Sequence, residues 1–177
     1  MTTQEYFSWF DDMLGTTTAM YRLVPTDKLD WKPAEDSFTL GQLLEHMPRA
    51  FWFNSKVIAS EEWPLKSMRE ILVTNRRHPS VAVGEALEHL ELWSKEFRQA
   101  VQNLGDEKFQ RADVKTPQGG TLPIWRFAIF VLEHHLNHKM ELHMYLKLLG
   151  VKVNTGTLYA GEGKHGASGG SSLALII

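Results

Sequence analysis

Cysteine is absent from the 177 residues, so no disulfide, thiolate nucleophile or cysteine-held zinc or iron–sulfur centre can be built from this chain. Charge of one sign is lacking too. The 19 Lys and Arg against 21 Asp and Glu leave a formal charge of −2, which gives no electrostatic ground for a nucleic-acid or anionic-membrane partner. No uncharged apolar run reaches the ~20 residues that span a bilayer. The opening MTTQEYFSWFDDML carries acids where a targeting peptide avoids them and has no basic leader before an apolar stretch. A cytoplasmic protein is the expectation. Proline is sparse, with seven copies, and the 43% hydrophobic, 23% charged composition is that of a globular chain with one core.

Histidine is what the sequence has in number: eight copies, of which His134, His135, His138 and His143 fall within ten residues. To see which of them converge, the chain has first to be folded into elements.

The 3.6-residue period predicts four helices. The first runs from about Thr3 to Leu23 before Pro25, with Tyr6, Phe10, Met13 and Met20 as its apolar stripe. The second opens on Thr39 with Gln42 three residues on, a capping-box pattern, and continues to about Ala59. The third follows Ser80 and ends at Gly105, presenting Leu87, Leu90, Phe97, Val101 and Leu104 on one side. The fourth has Pro123 at its first turn and Gly150 just past its end. The links between them, 24–38, 60–79 and 105–122, exceed the usual helix-to-helix length. They predict an all-α four-helix bundle with long crossover connections rather than tight up-and-down loops. A short helix is expected in EEWPLKSMREIL, an exposed turn at Asn75, Arg76 and Arg77, and a hairpin around ADVKTPQGGTLP. The bundle is expected to occupy residues 1–152. Residues 153–177, rich in Gly and Ser before a terminal LALII, form the expected tail.

Residues four apart on a helix lie about 40° apart around its axis, so His134 and His138 share a face and can hold one ion together. Phe127, Val131, Tyr145 and Leu149 continue that face, which points it at the core. His46 lies on the second helix among Leu43, Ala50, Phe53 and Val57, so it too is predicted to face inward as a third ligand. Three neutral imidazoles suit Zn²⁺, Ni²⁺ or Fe²⁺ and leave a position open for water or substrate. Pro48, two residues on, removes a backbone donor and predicts a kink beside the site. The pair lacks the Glu that follows the first His of a zinc-peptidase helix. His135 and His143 point elsewhere and are expected at the surface or an interface. His89 is expected in solvent, and His78 and His165 without convergent partners.

Three segments resemble the DinB/YfiT-like family. HKMELHMYLKLLG from His138, preceded by His134, resembles its last helix; WKPAEDSFTLGQLLEHM, ending at Met47, resembles its entry into the second helix; NLGDEKF from Asn103 is similar to its exit from the third. The resemblance covers about residues 1–160. It implies a bundle with crossover connections, usually homodimeric, with a divalent metal on the residues matching His46, His134 and His138. It also implies reactions that use low-molecular-weight thiols, although many members have no assigned reaction. Glu141 stands where the family motif usually has Gln, three residues after His138 on the same face. It is the candidate catalytic residue, able to orient an imidazole, join the metal or act as general base.

A homodimer has support in the residues as well. Trp125, Ile129, Leu132, Leu136 and Met140 make a second apolar side on the fourth helix, which a symmetric partner would cover. The functional expectation is a metal-dependent transferase that activates a low-molecular-weight thiol toward a small electrophile. The alternatives are a metal-dependent hydrolase and a non-catalytic metal- or small-molecule-binding stress protein.

Overall fold

The computed structural model describes residues 1–61, 63, 70, 73, 77–117 and 119–159. Four long helices dominate: α1 (Thr3–Tyr21), α2 (Leu40–Ser60), α3 (Val83–Arg111) and α4 (Ile124–Leu148). A two-stranded antiparallel hairpin, β1 (Asp113–Lys115) with β2 (Thr121–Pro123), joins α3 to α4, and a short α5 (Thr155–Tyr159) follows. Capping boxes start α1 at Thr2 with Glu5 and α2 at Thr39 with Gln42. These satisfy backbone donors that a helix end leaves unpaired. Gly150, at φ 79°, ends the α4 region. Gly105 does break α3, at φ 69°, but helix resumes beyond it to Arg111. The sequence reading therefore ended the element one turn and a half too early.

The helix directions follow from who touches whom. Along α2 and α3, Glu45 meets His89, Arg49 meets Trp93 and Lys56 meets Glu96, so both partners advance together and the two helices are parallel. Between α1 and α3, Thr3 meets Asp106 and Asp11 meets Arg98, which is antiparallel. Helix α4 runs with α1, since Tyr6 bonds Ala128 and Thr17 bonds His135. Two parallel helices in succession, α2 and α3, are the mark of a crossover between them. Most of the short helix expected in 61–72, and the turn at Asn75 and Arg76, lie outside the described residues. Arg77 is exposed as expected.

Tyr6, Phe10, Met13 and Met20 are all buried, as the stripe on α1 requires. Phe10 stacks on Phe97 at 5.6 Å and meets Phe51 at 5.1 Å, tying α1, α3 and α2 through one aromatic cluster. Helix α2 runs through Pro48 without interruption. A proline there cannot donate to the carbonyl of Leu44, and the Tyr21 hydroxyl of α1 donates to that oxygen instead, at 2.9 Å. Tyr21→Phe should therefore cost about 1–3 kcal/mol in a denaturant melt, the penalty of an unsatisfied buried carbonyl, with α2 still helical by circular dichroism.

Two histidines expected at the surface are in fact buried. His135 packs its ring on Phe51 at 4.8 Å, and its Nε2 is 3.0 Å from the Thr17 hydroxyl. His143 is covered by the segment after Gly150, where its Nε2 donates to the Asn154 carbonyl at 3.2 Å. Beside it the buried Lys139 donates to Thr16 Oγ1 at 3.0 Å and to the Leu158 carbonyl at 2.9 Å. These contacts hold residues 154–159 against α1 and α4. The remaining tail, with His165, lies outside the described residues. Among the described residues, no helix is long and apolar enough to cross a membrane.

Candidate metal centre

The α2 N-terminus places the first ligand candidate. Thr39 and Gln42 cap the helix, and Phe38, just before the cap, lies flat on the His46 ring with centroids 4.9 Å apart. Antiparallel packing of α4 on α2 then brings His134 and His138 opposite. His46 Nε2 lies 3.3 Å from His134 Nε2 and 3.1 Å from His138 Nε2, and all three donor atoms fall within 4.8 Å of one another. Imidazole nitrogens at about 2.0–2.1 Å from one ion are about 2.9–3.4 Å apart between octahedral and tetrahedral angles, so the two measured separations fit a shared ion.

His46 is buried, whereas His134 and His138 are half-buried. The sequence placed all three in the core; the pair on α4 instead stands at its margin, which gives small molecules an approach. Burial first, and the neighbouring imidazoles second, push His46 down to about 2 and His134 down to about 4. Both are neutral near pH 7, the form that ligates. His46 Nδ1 is buried with no hydrogen-bond partner among the described residues. Three imidazole nitrogens facing one point, one of them on an otherwise unpaired ring, are poorly satisfied by each other and well satisfied by a cation.

Glu141 engages both its oxygens. Its Oε2 accepts from His138 Nδ1 at 2.8 Å, and its Oε1 accepts from the Tyr145 hydroxyl at 2.8 Å. Burial pushes this carboxyl up, but the bonds from His138 and Tyr145 outweigh it and hold Glu141 below its ordinary value. Because a carboxylate only accepts, the contact fixes the proton of His138 on Nδ1 and turns its Nε2 lone pair toward the cluster.

Two histidines missed by sequence reasoning stand near the centre. His78, assigned no convergent partner, is buried with its ring 5.3 Å from that of His46. The chain before α3 reaches it by close approach: a Cβ on Gly41 would sit 2.1 Å from Ser80 Oγ, and Gln42 Nε2 donates to the His78 carbonyl at 3.1 Å. Gly41, inside an otherwise good helix former, was the available signal. His89, expected in solvent, donates from Nδ1 to Glu45 at 2.7 Å and stacks on Trp93 at 4.3 Å. Glu45, directly before His46, is wholly buried and also accepts from Arg49 Nε at 3.0 Å. A buried carboxylate needs such partners, and nothing in helical phasing names them.

The fold and the cluster together define a class: a four-helix bundle with a crossover connection and a three-histidine group between its second and last long helices. The family model described as the DinB superfamily matches residues 10–142. The chain belongs to the DinB superfamily. Among solved structures it is similar to a DinB-like protein of Bacillus subtilis, with TM-score 0.64 at 17% identity, covering 84% of this chain and 93% of that one. It is also similar to a DinB-like protein of Bacillus cereus, with TM-score 0.67 at 14% identity and coverages of 86% and 96%. A third is the mycothiol-dependent maleylpyruvate isomerase, with TM-score 0.55 at 15% identity; 88% of this chain aligns with 64% of that one. At such identities the likeness is one of fold. No curated protein matches this sequence.

Proposed function

We propose that this chain is a divalent-metal enzyme that transfers a low-molecular-weight thiol to a small electrophile. The observation that carries the reading is the group of His46, His134 and His138, three neutral-type donors with no carboxylate among them and two of them reachable from solvent. Zn²⁺, Ni²⁺ or Fe²⁺ held there would supply Lewis-acid activation, lowering the pKa of an incoming thiol so that thiolate forms near neutral pH. The chain has no cysteine, so the thiol arrives with a cofactor or substrate. The structural likeness to a mycothiol-dependent isomerase supports this choice of co-reactant.

The residues divide the work. His46, His134 and His138 hold the ion; Glu141, with both oxygens occupied by His138 and Tyr145, positions His138 rather than taking a proton from substrate. Glu141→Ala should weaken metal binding by about 10–100-fold, measured by competition with a chromogenic chelator. Glu141→Gln retains a side-chain acceptor and should recover most of that loss.

The exposed apolar side of α4, with Trp125, Leu136 and Met140 between 40% and 48% accessible, supports a homodimer. Leu132 is already buried within the chain and Ile129 half-buried, so the remaining surface is narrower than the sequence stripe suggested.

The test is turnover of metal-loaded protein with thiols and activated electrophiles, following thioether formation by mass spectrometry. Thiol-dependent product supports the proposal. Product formed equally without thiol makes the protein a hydrolase, and a metal-loaded protein inert across the panel removes the enzymatic reading.

A further inference from the structure

The side of α2 that faces α4 is not filled evenly. One turn beyond His46 it offers only the methyl group of Ala50, which is half-buried although Leu43, Met47, Asn54 and Val57 around it are buried. Ala50 lies about 40° around the helix from His46. That direction falls between the one in which His46 meets His134 and the one in which Phe51 stacks on His135, so Ala50 faces α4. Its exposure marks an opening between the two helices, directly beside the histidine group.

Aromatic rings bound this opening. Phe130, one turn before His134 on α4, has its ring 6.3 Å from that imidazole and is 42% exposed. Two turns beyond His46, Phe53 meets Trp63 at 5.6 Å. Trp63 in turn meets Phe127, two turns before His134, at 5.7 Å. Since α2 and α4 are antiparallel, this bridge stands about 10 Å from the histidines along both helices. A ring midway would have its centre about 5 Å from either end, within the about 4.5–7 Å at which aromatic pairs meet.

We infer that this opening binds the body of the electrophile, and that the body is a single aromatic ring; the assignment to an electrophile rests on the thiol-transfer reading above. The ring lies over Ala50, with Phe130 at its side and Trp63 at its far end, and its reactive substituent is turned toward the histidines. A flat ring pairs with these neighbours as a saturated ring of the same size does not, a difference of about two- to tenfold in affinity.

The full chain, metal-free and Zn²⁺-loaded, is titrated with the unreactive probes benzyl alcohol and cyclohexylmethanol. Methyl NMR of Ala50 locates binding, and saturation-transfer NMR measures affinity. Benzyl alcohol should shift the Ala50 methyl saturably in both forms, with cyclohexylmethanol at least about twofold weaker. Phe130→Ala removes an exposed ring and should weaken benzyl alcohol by about twofold or more. Ala50→Leu fills the opening and should abolish its binding, with helicity and metal content unchanged. With thiol and metal supplied, thioether formation from a benzyl halide should fall about tenfold in Ala50→Leu relative to that from a methyl halide. Equal affinity for the two alcohols overturns the inference. So do shifts that spare Ala50, or benzyl alcohol affinity unchanged in both variants. A chain that binds as expected yet forms no thioether supports the ring site and removes only the thiol-transfer reading.

Discussion

Protein carrying His46→Ala should emerge from tag-free purification without the stoichiometric divalent ion that the unsubstituted chain retains. His46 is the only ligand candidate on α2, and its Nε2 lies within 3.3 Å of His134 Nε2 and of His138 Nε2. Without it the two remaining imidazoles, one turn apart on a single helix, form a weak chelate. The loss should therefore exceed the about 10–100-fold that accompanies removal of an outer partner. His134→Ala and His138→Ala should behave alike. The informative comparison is His135→Ala, because it removes a neighbouring imidazole that faces Thr17 and Phe51 rather than the cluster. That variant should keep its metal yet lose about 2–4 kcal/mol of stability from the cavity left beside Phe51, the Thr17 hydroxyl keeping its bond to the Met13 carbonyl. Elemental analysis beside urea melts reads both effects. Metal retained in His46→Ala, or lost in His135→Ala, would sink the assignment.

Acid should destabilise this protein from about pH 6.5 downward, above the range in which carboxylates protonate. Burial pushes His135 well below its ordinary value and His46 down to about 2, while both regain an ordinary value of about 6.5 once the chain unfolds. Below pH 6.5 the unfolded chain therefore binds more protons than the folded one, and stability falls as pH falls. Each such group contributes a slope of about 1.4 kcal/mol per pH unit. For His46 alone this amounts to about 2 kcal/mol between pH 6.5 and 4.5, and His135 adds to it in the same direction. A bound cation acts in the same direction, since it too requires neutral imidazoles. Urea midpoints at pH 7.5, 6.0 and 5.0 should drop steadily, and His135→Gln should flatten the slope. Stability unchanged from pH 7 to 5 would refute the account.

Much of the helical frame was legible because periodicity and capping are local. Thr39 with Gln42, Pro123 and Gly150 all mark the ends they were expected to mark. The histidines show where local reasoning stops. Phasing correctly sends His134 and His138 in one direction and His135 in another, but it does not say what stands in either direction. The two on α4 that share a face lie at the margin of the core, and the one turned away is sealed between α1 and α2. His143 was likewise assigned to the surface or an interface, and His89 to solvent. A segment at Asn154 covers the first, and a buried Glu45 on a neighbouring helix holds the second half-buried.

The sequence alone determined that this chain folds as an all-α bundle, that it has no thiol of its own, and that its one concentration of metal-type donors is histidine. Those conclusions rest on composition and on the period of a single helix. Tertiary structure decided which donors meet, because the parallel run of α2 with α3 and the antiparallel run of α2 with α4 set His46 across from His134 and His138. It also decided that Glu141 reaches His138 Nδ1 with one oxygen and Tyr145 with the other. Convergence of side chains from different helices depends on helix direction and register, and no pattern within one helix carries that information.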